Sequence, residues 1–399
     1  MLSSFRTLLS LLSVLVLLAA CGPGAPMTTA AEPGEERLRV VASISPIANI
    51  VYNVGGDRIE LEGIMPPGVD PHTFEPRPSD AVKLSDADLI FVNGLHLDES
   101  TLKLAEANLK EGAEIVELAA AVVEPGEFIY GAEHHHGHTE DDEHEHENED
   151  EHGHAEDDGH DEDEDEHGHA EDDDEHEDDD EHGHAEDDDE HEDDDEHGHD
   201  GEEGEEGEPD PHLLLDPNFV IRFAKVVFVS LSAHDPDNRD YYEANFNEYT
   251  ARLIALDEAI RATTATIPEA NRRLLTYHDS FGYFAQRYGY TVIGAIQPND
   301  TSEPSAQEVA ALIDQLLDEG VPAIFGSAQF PAAVIEQIAR ETGATVSTLL
   351  DEDLPGEPGD PEHTYIGMMV ENLRTLANVL GGDPTLMDGV EVGNVPDRE

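Results

Sequence analysis

Basic residues are scarce in this chain: 19 Lys and Arg stand against 95 Asp and Glu in 399 residues, for a formal charge of −76. Phosphate backbones are held by clustered Lys and Arg, so the shortage excludes nucleic acid as a partner and makes cations the natural one. Cysteine is scarcer still. Cys21 is the only one, which rules out an intramolecular disulfide. A long apolar run is also missing at the N-terminus, where the apolar stretch is about a dozen residues, short of the ~20 that a membrane-spanning helix needs. Even so, 38% apolar residues suffice to bury one or two cores.

The acidic residues are not evenly spread. Between Glu133 and Glu208 lie 45 of the 95 acids and 17 of the 23 histidines, with no Lys or Arg, leaving −31 for the remainder. The run "EHGHAEDDDEHEDDD" occurs twice back to back there, at 166–180 and 181–195. Residues 133–208 have almost nothing apolar to bury against the entropy of ordering, so a disordered insertion within a domain is expected. The 15-residue period has no apolar face on which repeats could stack as a solenoid. Metal bound by its His-x-His pairs must order its own ligands, so its affinity there is expected to be weak and multiple.

The N-terminus, "MLSSFRTLLSLLSVLVLLAACGPG", carries one Arg, an apolar core and small residues before Cys21. This is the form of a signal peptide over residues 1–20. Its Leu18-Ala19-Ala20-Cys21 ending resembles a bacterial lipobox, which implies lipidation at Cys21, a tether over 21–37 and attachment to the outer face of the cytoplasmic membrane, in the periplasm or at the cell surface. An ordinary secretion signal with an incidental Cys is the alternative.

From Leu38 onward, short apolar strands alternate with helices. Strands are predicted at "LRVVASI", "IELEGIM", "ADLIFVNG" and "AEIVEL", with a helix closed by Gly55-Gly56 after the first and others near 79–86 and 99–109. After the insertion, Asp216-Pro217 opens an apolar helix, and "NRDYYEANFNEYTARLIALDEAIRATTATIP" places Tyr242, Phe246, Tyr249, Leu253, Leu256 and Ile260 at helical spacing. Four further strands, "RRLLTYHDS", "YTVIGAI", "PAIFGSA" and "ATVSTLL", alternate with helices near 280–288, 304–319, 331–342 and 362–381. The pattern predicts an α/β fold of two Rossmann-like lobes with mostly parallel sheets, joined by one long rigid helix. The expected boundaries are 38–236 for the first lobe, 237–265 for the linking helix, 266–382 for the second lobe and 383–399 for a tail.

Two lobes make a cleft, and ligands bind open α/β sheets at the carboxyl ends of strands. Six histidines lie outside the tract: His72, His96, His212, His234, His278 and His363. His72 and His212 each end an Asp-Pro-His, at 70–72 and 210–212, where Pro stiffens the backbone before the imidazole; His278 ends a predicted strand. His96, His234 and His363 read as ordinary surface residues. Asp279 is a candidate to support His278 or to cap the following helix. A carboxylate cluster, "DEDLPGEPGD", follows the last strand. Three imidazoles and one carboxylate meeting in a cleft would form the tetrahedral nitrogen-rich site that zinc prefers. A three-His site with an open position could instead activate water as a zinc hydrolase does, but no general base placed like the Glu of His-Glu-x-x-His is evident.

The stretches "VVASISPIANIV", "GGDRIELEGIMPPGVDPHTFEPRPSDAVKLSDADLIFVNGL", "DPHLLLDP", "HDSFGYFAQRYGY", "QPNDTSEPSAQEV" and "TYIGMMVENLRTLANVL" resemble the cluster A-I metal-binding lipoproteins of bacterial zinc/manganese ABC importers, in order over nearly all of 38–382. The resemblance implies two lobes joined by one long helix, a metal site in the inter-lobe cleft, no enzymatic activity, an ABC permease as partner and a monomer held by a lipid anchor. Carried over residue by residue, the ligands are His72, His212, His278 and an acidic residue of the second lobe. Anchoring on Leu354-Pro355-Gly356 selects Glu352, with Asp351 and Asp353 flanking it. Histidine at the third position resembles the zinc members and Glu there the manganese members, so Zn2+ is the implied cargo and Mn2+ the alternative. An adhesin role has only the family's older naming behind it. "DPHLLLDP" departs from the aromatic residue usual in that motif. The His/acid insertion resembles the zinc-gathering or sensing loop of zinc-type members, with a solvated spacer as the plain alternative.

Overall fold

In the computed structural model, residues 37–124, 126–130, 209–297, 304–327 and 332–397 are described. The signal peptide, Cys21 with its tether as far as residue 36, and the His/acid tract of 133–208 lie outside the described residues.

The first sheet contains β1 (Leu38–Ala42), β2 (Ile59–Gly63), β3 (Leu89–Val92) and β4 (Glu114–Glu117), in the order β2-β1-β3-β4 and parallel throughout. Its helices are α1 (Ser45–Gly55), α2 (Pro78–Asp86), α3 (Glu99–Asn108) and the short α4 (Leu118–Val122). Side chains alternate across the strands. Val40, Ala42, Leu89 and Phe91 face one buried cluster, whereas Val41, Ile90 and Val92 face another with Leu84 of α2 and Ala105 of α3. Burial on both faces is what an all-parallel sheet requires, and the uninterrupted apolar run "LIFV" of β3 meets it.

Two helices then lead to the second sheet. Asp216 caps α5 (Pro217–His234) by accepting from Asn218 N, and Pro217 fills the first helical position, where no N–H is needed. α6 (Arg239–Thr266) is 28 residues long, roughly 42 Å at the rise of an α-helix. Its Tyr242, Tyr249, Leu253, Leu256 and Ile260 are fully buried, and Phe246 stacks on Phe228 of α5 at 5.4 Å.

The second sheet is built from β5 (Arg273–His278), β6 (Thr291–Gln297), β7 (Ala323–Gly326) and β8 (Thr345–Thr348), again all parallel, in the order β6-β5-β7-β8. With it come α7 (Gly282–Tyr288), α8 (Ala306–Glu319), α9 (Ala332–Thr342) and α10 (Tyr365–Leu380). A reciprocal capping box between Ser305 and Glu308 starts α8.

Leu275, Tyr277, Ile296, Ile324, Ile335 and Ile338 form a core of the second sheet's own. The largest cluster is shared by both sheets: it runs from Val40 of β1 through α5, α6 and α10 to Leu274 of β5. The chain after α10 returns to the first sheet's side. Val395 N donates to Asn53 Oδ1 at 2.8 Å, Asn49 Nδ2 to Asn394 Oδ1 at 2.9 Å, and Tyr52 Oη to Asp397 Oδ1 at 2.7 Å. Residues 394–397 therefore strap across α1, a role that no local pattern in those residues announced.

Candidate metal centre

Four segments reach one point between the sheets, each from the carboxyl end of its strand or the start of a helix. His72 stands in the Pro-rich loop after β2, His212 just before the turn at Leu213–Leu215 that leads into α5, His278 at the last residue of β5, and Glu352 in the loop after β8. The ligand atoms of these four side chains all lie within 4.8 Å of one another. His212 Nε2 is at the middle of the group, 3.3 Å from His72 Nε2, 3.0 Å from His278 Nε2 and 3.2 Å from Glu352 Oε1. His212, His278 and Glu352 are buried, and His72 is half-buried at the mouth.

The supporting bonds decide which way the imidazoles point. Asp210 Oδ1 lies 2.8 Å from His212 Nδ1 and also accepts from His212 N. A carboxylate can only accept, so Nδ1 carries a hydrogen and Nε2 is the nitrogen that faces the centre, free to offer a lone pair once its own proton is shed. Asp70 repeats half of this device, accepting from His72 N at 3.0 Å. The Asp of each Asp-Pro-His thus clamps its own turn, in addition to the stiffening expected from Pro.

The 210–212 turn is itself gripped from two directions. Asn93, at the end of β3, donates to Pro211 O at 3.0 Å, and Tyr283 of α7 donates to Asp210 O at 3.2 Å. At Gly282 a Cβ would fall 2.7 Å from Asp210 Oδ2, so the first turn of α7 can approach that carboxylate only without a side chain. Sequence reasoning missed Asn93, Tyr283 and the full role of Asp210. The doubled Asp before Pro-His was the one local signal available.

The acidic triplet divides by destination. Glu352 stands with the rings, and its Oε1 is buried without a well-aligned hydrogen bond. Asp351 points elsewhere: it lies 3.2 Å from Ser327 Oγ and 3.5 Å from Ser280 Oγ. Asp353 accepts from Gly68 N at 2.6 Å. Asp279 does not cap α7, whose N-cap residue is Phe281. Of the remaining histidines, His96 pairs with Glu99, His234 with Glu114, and His363 Nδ1 lies against Pro355 O.

Electrostatics favour positive charge at the centre. Burial alone would lower the His212 pKa, but the hydrogen bonds and charges of Asp210 and Glu352 overcome it and hold the imidazolium well above its usual range. Burial tends to raise Glu352, yet His212, His278 and His72 together keep its carboxyl below the ordinary value. Asp351 is pushed up to about 8 by burial and by the negative charge of Glu352. Two ring nitrogens and a carboxylate oxygen 3.0–3.3 Å from His212 Nε2 repel it unless a proton or a cation lies between them. Ligands at 2.0–2.1 Å from a tetrahedral ion would stand roughly 3.3 Å apart, so the spacing around His212 suits such an ion.

The family described as "Zinc-uptake complex component A periplasmic" matches residues 40–379. Among curated relatives, the manganese ABC transporter substrate-binding lipoprotein PsaA of Streptococcus pneumoniae is 28% identical over 94% of this chain and 98% of its own. The manganese-binding lipoprotein MntA of Halalkalibacterium halodurans is 25% identical over 93% and 97%. Among solved structures, the periplasmic zinc-binding protein TroA of Treponema pallidum superposes with a TM-score of 0.62 at 24% identity, covering 86% of this chain and 99% of that one.

Proposed function

The chain belongs to the periplasmic zinc-uptake component A family, and from that premise we propose that it captures Zn2+ in the cleft between its two lobes and hands it to a membrane permease. At the coarser level it is the substrate-binding component of a metal ABC importer, working outside the cytoplasm with a permease and ATPase partner, and it is not an enzyme.

The donor set carries the zinc reading. His72, His212, His278 and Glu352 offer three neutral nitrogens and one carboxylate oxygen. Imidazole suits zinc, whereas manganese favours a site richer in carboxylate and water. One carboxylate against a dipositive ion also leaves a net positive centre, which the buried Asp210 behind His212 helps to balance. Capture then needs little rearrangement of His212, because Asp210 already fixes its tautomer. The curated names of the relatives favour manganese as a second reading.

One experiment separates the two. The full chain is equilibrated with one equivalent each of Zn2+ and Mn2+, exchanged into metal-free buffer and analysed for both elements, with His212→Ala as the reference for metal held outside the cleft. Zinc in excess of that reference, with loss of the tight site in His72→Ala and His278→Ala by calorimetry, is the expected result. Manganese in excess would establish the second reading, and equal zinc affinity in all four proteins would end both.

The remaining parts of the proposal rest on sequence. Cys21 is the anchor point of a monomeric lipoprotein, and the tract of 133–208, which precedes His212, gathers zinc for the cleft. Both lie outside the described residues.

A further inference from the structure

We propose that Asp353 is a latch that holds the His72 loop closed over the cargo and couples that closure to metal at Glu352. This rests on the metal-binding reading of the four-residue centre.

The loop from Ile64 to Arg77 has no helix or strand, and most of its residues between Pro66 and Arg77 are exposed or half-exposed. His72, the least buried of the four converging residues, is carried on it. Pro66 and Pro67 have no N–H, so Gly68 presents the first free amide of the loop. That amide donates to Asp353 Oδ2 at 2.6 Å, from a backbone at φ +75° that favours glycine. The other carboxylate oxygen, Oδ1, lies 3.4 Å from Ser45 Oγ at the start of α1, and it accepts from Leu354 N at 2.9 Å. The first two contacts join the second lobe to the first across 285 and 308 residues of sequence.

The two sides of the latch differ in anchorage. Leu354, next to Asp353, is buried in the core shared with Met65, and Leu350 exchanges hydrogen bonds with Asn372 of α10. The 351–354 segment is therefore the fixed post, and the exposed loop is what swings. Asp353 also adjoins Glu352. An ion shared by His72 and Glu352 would tie the loop to the same fixed segment that Gly68 N already reaches through Asp353, so metal and latch reinforce one another. A charged acceptor makes the stronger class of hydrogen bond, which suits a clasp made by a single backbone N–H.

The test is amide hydrogen exchange over the 66–76 segment in the full chain, stripped with chelator and then loaded with one equivalent of Zn2+. Metal is expected to slow exchange next to Gly68 roughly tenfold or more, and Asp353→Ala is expected to abolish that slowing. The same variant should release zinc to a competing chelator roughly tenfold faster, with Asp353→Asn and Ser45→Ala in between. A metal-free melting temperature unchanged from the parent would confirm that the variants fold. Protection that is equal with and without metal, or release by Asp353→Ala within twofold of the parent, would overturn the latch. Should His212→Ala bind and release zinc as the parent does, the cleft reading itself is what has failed.

Discussion

His212 is the residue on which the centre turns, because its Nε2 is within 3.3 Å of three other ligand atoms while its Nδ1 is committed to Asp210. Replacing Asp210 by Asn keeps the shape but lets the partner donate, so the tautomer is no longer fixed. Partners of this kind are worth about 10–100-fold in metal affinity, and a loss of that size is expected for Asp210→Asn in a competition titration of the first equivalent of zinc. An affinity within twofold of the parent would show that the hydrogen bond does not matter to binding.

On the proposed reading the proton and the metal compete for the same nitrogen, which fixes the sign of the pH dependence. In the metal-free chain His212 holds its proton well above the usual range, so that contribution to stability is complete below the unfolded value near 6.5 and fades as pH rises through the folded one. Asp351, raised from 3.8 to about 8, acts in the same direction: the folded chain keeps a proton that the unfolded chain has lost, and stability declines between those values. Metal affinity runs the other way, since the ligand must shed its proton. Calorimetry of the first zinc equivalent in buffers of different ionisation enthalpy should therefore register net proton release at pH 7, absent in His212→Ala.

At the scale of elements, α5 shows how one residue can serve both folding and the site. Asp216 caps the helix through Asn218 N and also pairs with Arg287 of α7, in the other lobe. Loss of the cap and of a partly buried charged partner should together cost roughly 2–4 kcal/mol. For Asp216→Ala this is a lower midpoint in denaturant with an unchanged slope. A shallower slope would instead mean that the lobes unfold separately. The helices and strands themselves were mostly legible from pattern: β3 from a short apolar run, α8 from the alternation of strands and helices, α6 from Tyr242, Tyr249, Leu253 and Ile260 at helical spacing. The short α4 was not, because five residues reading "LAAAV" carry too little periodicity to tell a helix turn from the end of β4.

For the whole molecule, charge is the dominant fact. With −76 overall and 45 of the acids in the 133–208 tract, self-repulsion opposes the compact state and salt relieves it. A chain lacking 133–208 should retain one tight zinc equivalent, lose the weaker ones, and show a smaller rise in melting temperature between 20 and 500 mM NaCl, over which the screening length falls from roughly 20 Å to roughly 4 Å. Loss of the tight equivalent on deletion would place the principal site in the tract and remove the cleft from consideration.

The sequence by itself determined the two α/β lobes, the long helix between them and the short roster of residues from which a metal site could be made. Those are local matters: periodicity, caps and donor chemistry are properties of neighbouring residues. Only the tertiary structure decided that Glu352, and neither Asp351 nor Asp353, stands beside the three imidazoles, that Asp353 reaches Gly68, and that Asn93 and Tyr283 hold the turn carrying His212. Three successive carboxylates are chemically alike, and what separates them is the direction in which the backbone aims each one once both lobes have closed on a common core.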